Sequence, residues 1–233
     1  METTIVSFQN VSKRYHLKDA VQGLSFDLPA GKIIGFIGPN GSGKTTTLKL
    51  MTGLLRPTSG RVLFQHSRVR RIMAERMAFL SDTGAVYGFY TVRQMVNYYA
   101  GVYREFNLDK AGAMLEFMQL DGGQHVRTLS KGQEGRLKIV LAVSRQAPLI
   151  VMDEPLSGLD PLVRQSILTG LISYIDLDAQ TVVLSTHEVD EVEPILDMAV
   201  LLDHGEVRAM DSTDRIRETM GGSLLEWMKQ ALV

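Results

Sequence analysis

Eight consecutive residues constrain this chain more than any others. Gly38-Pro39-Asn40-Gly41-Ser42-Gly43-Lys44-Thr45 follows directly on the apolar run 33–37. The spacing is G-x-x-x-x-G-K-[ST], which reads as a strand that ends in a glycine-rich loop and continues as a helix. Glycines let the backbone curl until successive N–H groups face one anion, and the following helix adds its positive end. Lys44 supplies a point charge for β- and γ-phosphates, and the Thr45 hydroxyl is suited to Mg²⁺. Residues 38–46, ending at Thr46, are therefore expected to hold the phosphates of a nucleotide such as ATP, in an α/β fold.

A second segment fits the same chemistry. The apolar run 149–152 delivers Asp153 and Glu154 to its C-terminal end, where ligands of open α/β sheets bind. Asp153 suits the Mg²⁺ shell and Glu154 suits a general base acting on water.

The rest of the chain is organised around such short runs. Residues 5–8, 24–28 and 61–64 read as strands beside turn signals such as Pro29-Ala30-Gly31 and Thr58-Ser59-Gly60. The runs 33–37, 77–80, 149–152, 181–184 and 199–202 are nearly continuous in apolar residues, as in strands buried on both faces of a parallel sheet. Helical patterns cover 44–54, 137–145 and 162–175. The middle of the chain has no strand signal, and Thr91-Val92-Arg93-Gln94 has the spacing of a capping box. About 90–145 is expected to be a helical subdomain interrupting the sheet of one domain spanning 1–233. Helical apolar spacing returns in a tail at about 212–233, read as a terminal helix docked on its own body.

Composition excludes several classes. The 233 residues carry 25 basic and 26 acidic side chains, so no sequence-wide field points to nucleic acid. The densest basic run, Arg68 to Arg71 with Arg76, reads as a solvated edge. The absence of cysteine removes disulfides and thiolate metal sites. No secretory leader is recognised at the start, and no apolar run approaches the roughly 20 residues of a membrane span. A membrane role must then come through another polypeptide. The histidines at 16, 66, 125 and 204 lack metal-ligand spacing, and the 12 methionines read as core filler.

Further motifs specify the kind of nucleotide protein. Leu129-Ser130-Lys131-Gly132-Gln133 resembles the L-S-G-G-Q signature of ATP-binding-cassette (ABC) proteins, with lysine for the first glycine. Pro155-Leu156-Ser157-Gly158-Leu159-Asp160-Pro161 looks like the family's D-loop, and Leu184-Ser185-Thr186-His187 like its switch histidine. Tyr15 is placed like the aromatic that stacks on adenine, although packing on the β-subdomain would also explain it. The resemblance runs from about Val6 to Met210 and looks most like small bacterial export-type ATPases. It implies a P-loop NTPase (RecA-like) core, an antiparallel β-subdomain and an inserted helical subdomain. It also implies two cassettes facing head to tail, with Ser130, Gly132 and Gln133 of one chain meeting the ATP held by the other. His187 would hold Glu154 and water in position. The implied partners are a second cassette and a separate transmembrane permease, not nucleic acid. The implied location is cytoplasmic, on the inner face of the membrane. A different class, soluble ABC ATPases acting on ribosomes or DNA, usually adds a second cassette or a long coiled coil. Only 84 residues lie between Lys44 and Leu129 here, without sustained heptads.

The sequence departs from the family pattern at Asp82, where most cassettes carry a glutamine that touches Mg²⁺ or water. Aspartate is shorter and acceptor-only when ionised, so it can serve a hydrated Mg²⁺ but cannot donate to a γ-phosphate. Lys131 stands either near the other chain's phosphate or in solvent. The stretch 82–103 concentrates aromatics, which read either as the small core of the helical subdomain or, in the loop before Thr91, as a docking surface for the permease.

Overall fold

The computed structural model describes residues 3–81, 86–220 and 222–232. The chain opens with strands β1 (Thr4–Tyr15) and β2 (Lys18–Pro29), and β3 (Ile33–Ile37) then feeds through the glycine loop into α1 (Lys44–Met51). Strands β4 (Ser59–Phe64), β5 (Ser67–Arg68) and β6 (Met77–Leu80) precede helices α2 (Val92–Val102), α3 (Leu108–Phe117) and α4 (Lys131–Val143). Next come β7 (Leu149–Asp153), α5 (Pro161–Ser173), β8 (Thr181–Thr186) and the short α6 (Val189–Val192). The chain closes with β9 (Met198–Asp203), β10 (Glu206–Ser212), α7 (Thr213–Met220) and α8 (Leu224–Ala231).

Two sheets result. One is antiparallel in the order β2-β1-β4-β5, and the other runs β10-β9-β3-β8-β7-β6. Every pairing in the second is parallel except β9 with β10. The parallel strands are apolar along their length because alternate residues enter different cores. Ile33, Ile37, Ile150, Met152, Val182 and Leu184 pack under the helical segment. Ile34, Phe36, Leu149, Val151 and Val183 face the core shared with the antiparallel sheet, which also holds Phe8 and Leu48. This is the α/β P-loop core, antiparallel β-subdomain and helical region that the motifs imply.

Local chemistry sets the helix ends. Thr91 Oγ1 accepts from Gln94 N–H at 3.2 Å, and Thr91 N–H donates to Gln94 Oε1 at 2.9 Å, so the capping box forms as read. A second box, Ser130 with Gln133 at 3.2 and 2.9 Å, starts α4 at Lys131 rather than at 137. The S-x-x-Q spacing signals it, but the apolar stripe begins only with Leu137. β10 is a strand that periodicity does not announce. His204 and Gly205 both take positive φ (49° and 81°) and turn the chain back on β9, and backbone pairing does the rest. The tail is two helices, and in α8 Leu224 is buried while Trp227, Met228 and Ala231 pack on the main core. Met51, Met95, Met114 and Met152 are buried, whereas Arg68, Arg70 and Arg71 are exposed.

Arg145, just past α4, fastens the helical segment to the sheet. Its buried guanidinium pairs with Glu105, donates to the Met77 carbonyl at 3.1 Å and stacks 3.7 Å from the Tyr103 ring centroid. Arg145→Ala is expected to cost about 3 kcal/mol or more, because Glu105 and a buried carbonyl lose their partner. A denaturant midpoint within error of the unchanged protein would refute this.

Candidate functional site

The sheet order gathers the motifs at one edge. β3, β8 and β7 are adjacent and parallel, so their C-terminal ends carry residue 38, residues 186–187 and residues 153–154 to the same place. The glycine loop can close there only as glycine. Gly38 has φ 145°, and a Cβ on it would stand 2.1 Å from the Leu202 carbonyl oxygen. Gly43, at the head of α1, has φ 104°, and its Cβ would meet the Ala20 oxygen at 2.6 Å.

Lys44 lies almost buried in this loop. Its Nζ donates to the carbonyls of Gly38 (2.8 Å) and Pro39 (3.1 Å) and stands 3.9 Å from Glu154 Oε1. Burial pushes its pKa below the usual lysine value, and the nearby carboxylates of Glu154 and Asp153 oppose that shift. Asp153 is buried, and its Oδ1 accepts from Thr45 Oγ1 at 3.0 Å and from Ser185 Oγ at 2.7 Å. Ser185 Oγ in turn accepts from the Glu154 N–H at 3.0 Å. Glu154 holds φ 48°, a strained value for a non-glycine residue that costs on the order of 1 kcal/mol. Its Oε2 lies 3.0 Å from His187 Nδ1. With a proton on Nδ1, the imidazole donates to the carboxylate.

A groove of about 370 Å³ opens over this cluster, lined by Tyr15, Asn40, Gly41, Gly43, Lys44, Thr45, Thr46 and Glu154. Tyr15 ends β1 and is 42% exposed, so one face of its ring remains open to the groove even with Lys13 Nζ 5.2 Å from its centroid. Thr45 and Asp153 present hard oxygen donors already in contact, which fits Mg²⁺.

Not every residue singled out from the sequence arrives here. Ser130, Gly132 and Gln133 sit at the head of α4, with Ser130 and Gln133 bonded to each other, and none of the three lines the groove. A Cβ at Gly132 would be 3.5 Å from Leu159 Cδ2, so the signature packs on the D-loop of its own chain. Lys131 lines a neighbouring cleft with Glu134, Lys138 and Glu154, and Glu154 also lines the groove. Asp82 lies outside the described residues. Ser185 joins the two acidic residues, a role that its place in the motif before His187 does not announce. The hint was a polar residue at the end of the apolar run 181–184.

The sequence profile of the family described as "ABC transporter" matches residues 21–157, more than half of the chain. The chain belongs to that family. It is an ABC-type ATPase coupled to transport, and it binds ATP. The ABC transporter ATP-binding protein YdbJ of Bacillus subtilis is 28% identical over 99% of this chain and 76% of its own length. Nod factor export ATP-binding protein I of Burkholderia orbicola is 31% identical over 88% of the chain and 70% of its own length. The relatives also include a sulfate/thiosulfate import ATP-binding protein of Mesorhizobium japonicum, 28% identical over 92% of this chain and 65% of its own length. Among solved structures, an ATP-binding subunit of an ABC transporter superposes with a TM-score of 0.85 at 26% identity, covering 99% of this chain and 100% of its own. Among the described residues of this cassette, no helix is long and apolar enough to cross a membrane.

Proposed function

We propose that this cassette hydrolyses ATP as half of a head-to-tail pair and drives export through a separate membrane subunit. The observation that carries the pairing is the division of the motifs between two places. The phosphate loop and Glu154 line one groove, with Asp153 bonded to Thr45 and His187 to Glu154, while Ser130, Gly132 and Gln133 at the head of α4 do not line it. A second copy turned end to end supplies the missing half. Ser130 and the Gly132 backbone of each chain then meet the γ-phosphate held by the other, at the positive end of α4. Gln133 holds Ser130 in place for that contact.

In this reading the loop N–H groups and Lys44 bind the phosphates, and Tyr15 stacks on the adenine. Glu154 takes a proton from the water that attacks the γ-phosphorus, as the bond to the ADP oxygen breaks. His187 keeps the Glu154 carboxylate turned toward that water. Thr45 and Asp153, aided by Asp82 if it lies within reach, would hold Mg²⁺, which would supply charge neutralisation on the phosphates. Export is the direction that the Nod factor export relative supports. The permease places the cassette on the cytoplasmic face of the membrane.

The stretch 82–103, which leads into the helical subdomain at 90–145, would carry the permease contact. Tyr87 and Phe89 are 46% and 67% exposed and stack with centroids 5.5 Å apart, and Tyr98 meets Tyr87 edge-on. Beside them a cleft of about 180 Å³ is lined by Leu54, Leu80, Tyr99 and Tyr103. Exposed aromatics next to a cleft suit a short helix of a membrane protein. Replacing Tyr87 and Phe89 with serine is expected to leave ATP affinity unchanged but to release the chain from native membranes. Retention of the double variant at the unchanged level would place the docking surface elsewhere. Cosedimentation of the native protein with ribosomes rather than membranes would reverse the transport reading altogether.

A further inference from the structure

We propose that Arg164 is a positioning residue that ties the D-loop, 155–161, to the segment carrying His187. The proposal rests on the roles of Glu154 and His187 given above. Arg164 stands in the first turn of α5, where its own N–H bonds the Asp160 carbonyl at 2.9 Å. Its side chain is only 13% exposed and reaches in two directions. Nε donates back to the Leu159 carbonyl at 2.8 Å, inside the D-loop. Nη1 donates to Glu188, the residue after His187, and to both carboxylate oxygens of Glu191 at 2.7 and 2.9 Å.

One planar guanidinium therefore fixes two loops that are distant in sequence, a geometry that a single ammonium does not reproduce. The connection extends at both ends. Glu188 N–H donates to Thr186 Oγ1 at 2.9 Å, which seats the switch at the end of β8, and His187 meets Glu154 at 3.0 Å. On the other side the buried Leu159 rests against Gly132 and Gly135 at the head of α4. Arg164 thus spans from the half of the site that this chain uses itself to the half that it offers to another copy. Charge decides what its loss does. Neither Glu188 nor Glu191 has another ion-pair partner among the described residues. Without Arg164 the two carboxylates repel each other, the Leu159 carbonyl loses its donor, and the segment beside His187 moves.

The test uses the full chain with Arg164→Ala and Arg164→Lys. Arg164→Ala is expected to lower kcat by on the order of tenfold to a hundredfold, as small misplacement of catalytic groups does. KM for ATP and nucleotide affinity should change less than about twofold, because the phosphate loop is untouched. Amide hydrogen exchange should accelerate in 157–160 and in 187–192 together, which a purely local defect in α5 would not produce. Arg164→Lys should recover kcat only in part, and it carries the same measurements if the alanine variant does not fold. Unchanged kcat, full recovery with lysine, or faster exchange in only one of the two segments would overturn the proposal. Glu154→Gln serves as the control. Full turnover in that variant would defeat the general-base reading, while the exchange measurement would still judge the link between the two loops.

Discussion

Glu154→Gln lowers ATP turnover by about 10²–10⁴ and leaves ATP bound. The amide keeps the size of the side chain and its contact with His187, but it cannot accept the proton of the attacking water. Ser185 still positions the backbone of residue 154, since its Oγ bonds the main-chain N–H and not the carboxylate. The phosphate loop therefore keeps its shape and affinity. In the head-to-tail arrangement, ATP that cannot be hydrolysed remains between two chains, so light scattering with Mg-ATP should show a dimer for the variant and a monomer without nucleotide. If the chain pairs only with a different cassette, the dimer appears once that cassette is added. Turnover at the unchanged rate would contradict the role of Glu154 outright.

Lys44→Ala removes turnover and weakens ATP binding by about thirtyfold or more, the effect of truncating one partner of a buried charge pair. The reason lies in its surroundings. Nζ is held by two loop carbonyls at the point where the phosphates of a bound nucleotide would supply negative charge. The fold should survive. Burial already disfavours the Lys44 ammonium, so the alanine gives up a desolvated cation as well as its hydrogen bonds. Glu154 keeps His187 as a neighbour. A thermal midpoint close to that of the unchanged protein, together with lost nucleotide binding in calorimetry, is the expected pair of results. Near-normal ATPase activity in a folded Lys44→Ala protein would end the phosphate-loop assignment.

The site divides cleanly into parts that were legible in the sequence and parts that were not. The glycine loop, the strand that ends in Asp153-Glu154 and the capping box at Thr91 depend on residues within a few positions of one another. Their geometry follows from backbone freedom, from apolar runs and from local hydrogen bonds, all of which a sequence displays. The family resemblance added Ser130, His187 and the D-loop by motif order. Boundaries were less legible. β1 and β2 extend well beyond their buried residues because ladder pairing with neighbours carries them on.

What the sequence by itself determined, then, is the inventory: which segment curls around phosphate, which strand end bears the carboxylates and which helix starts with the signature. Tertiary structure alone decided which of these meet. Placing β8 between β3 and β7 puts Ser185 opposite Asp153 and turns one hydroxyl into the link between both acidic residues. The packing of α5 beside α6 brings Arg164 to Glu188 and Glu191 across more than twenty positions of chain. Ser130, at the head of α4, does not line the groove of its own chain. No local pattern encodes these contacts, because they are set by strand order and register, and those are settled only when the two cores on either face of the sheet are filled together.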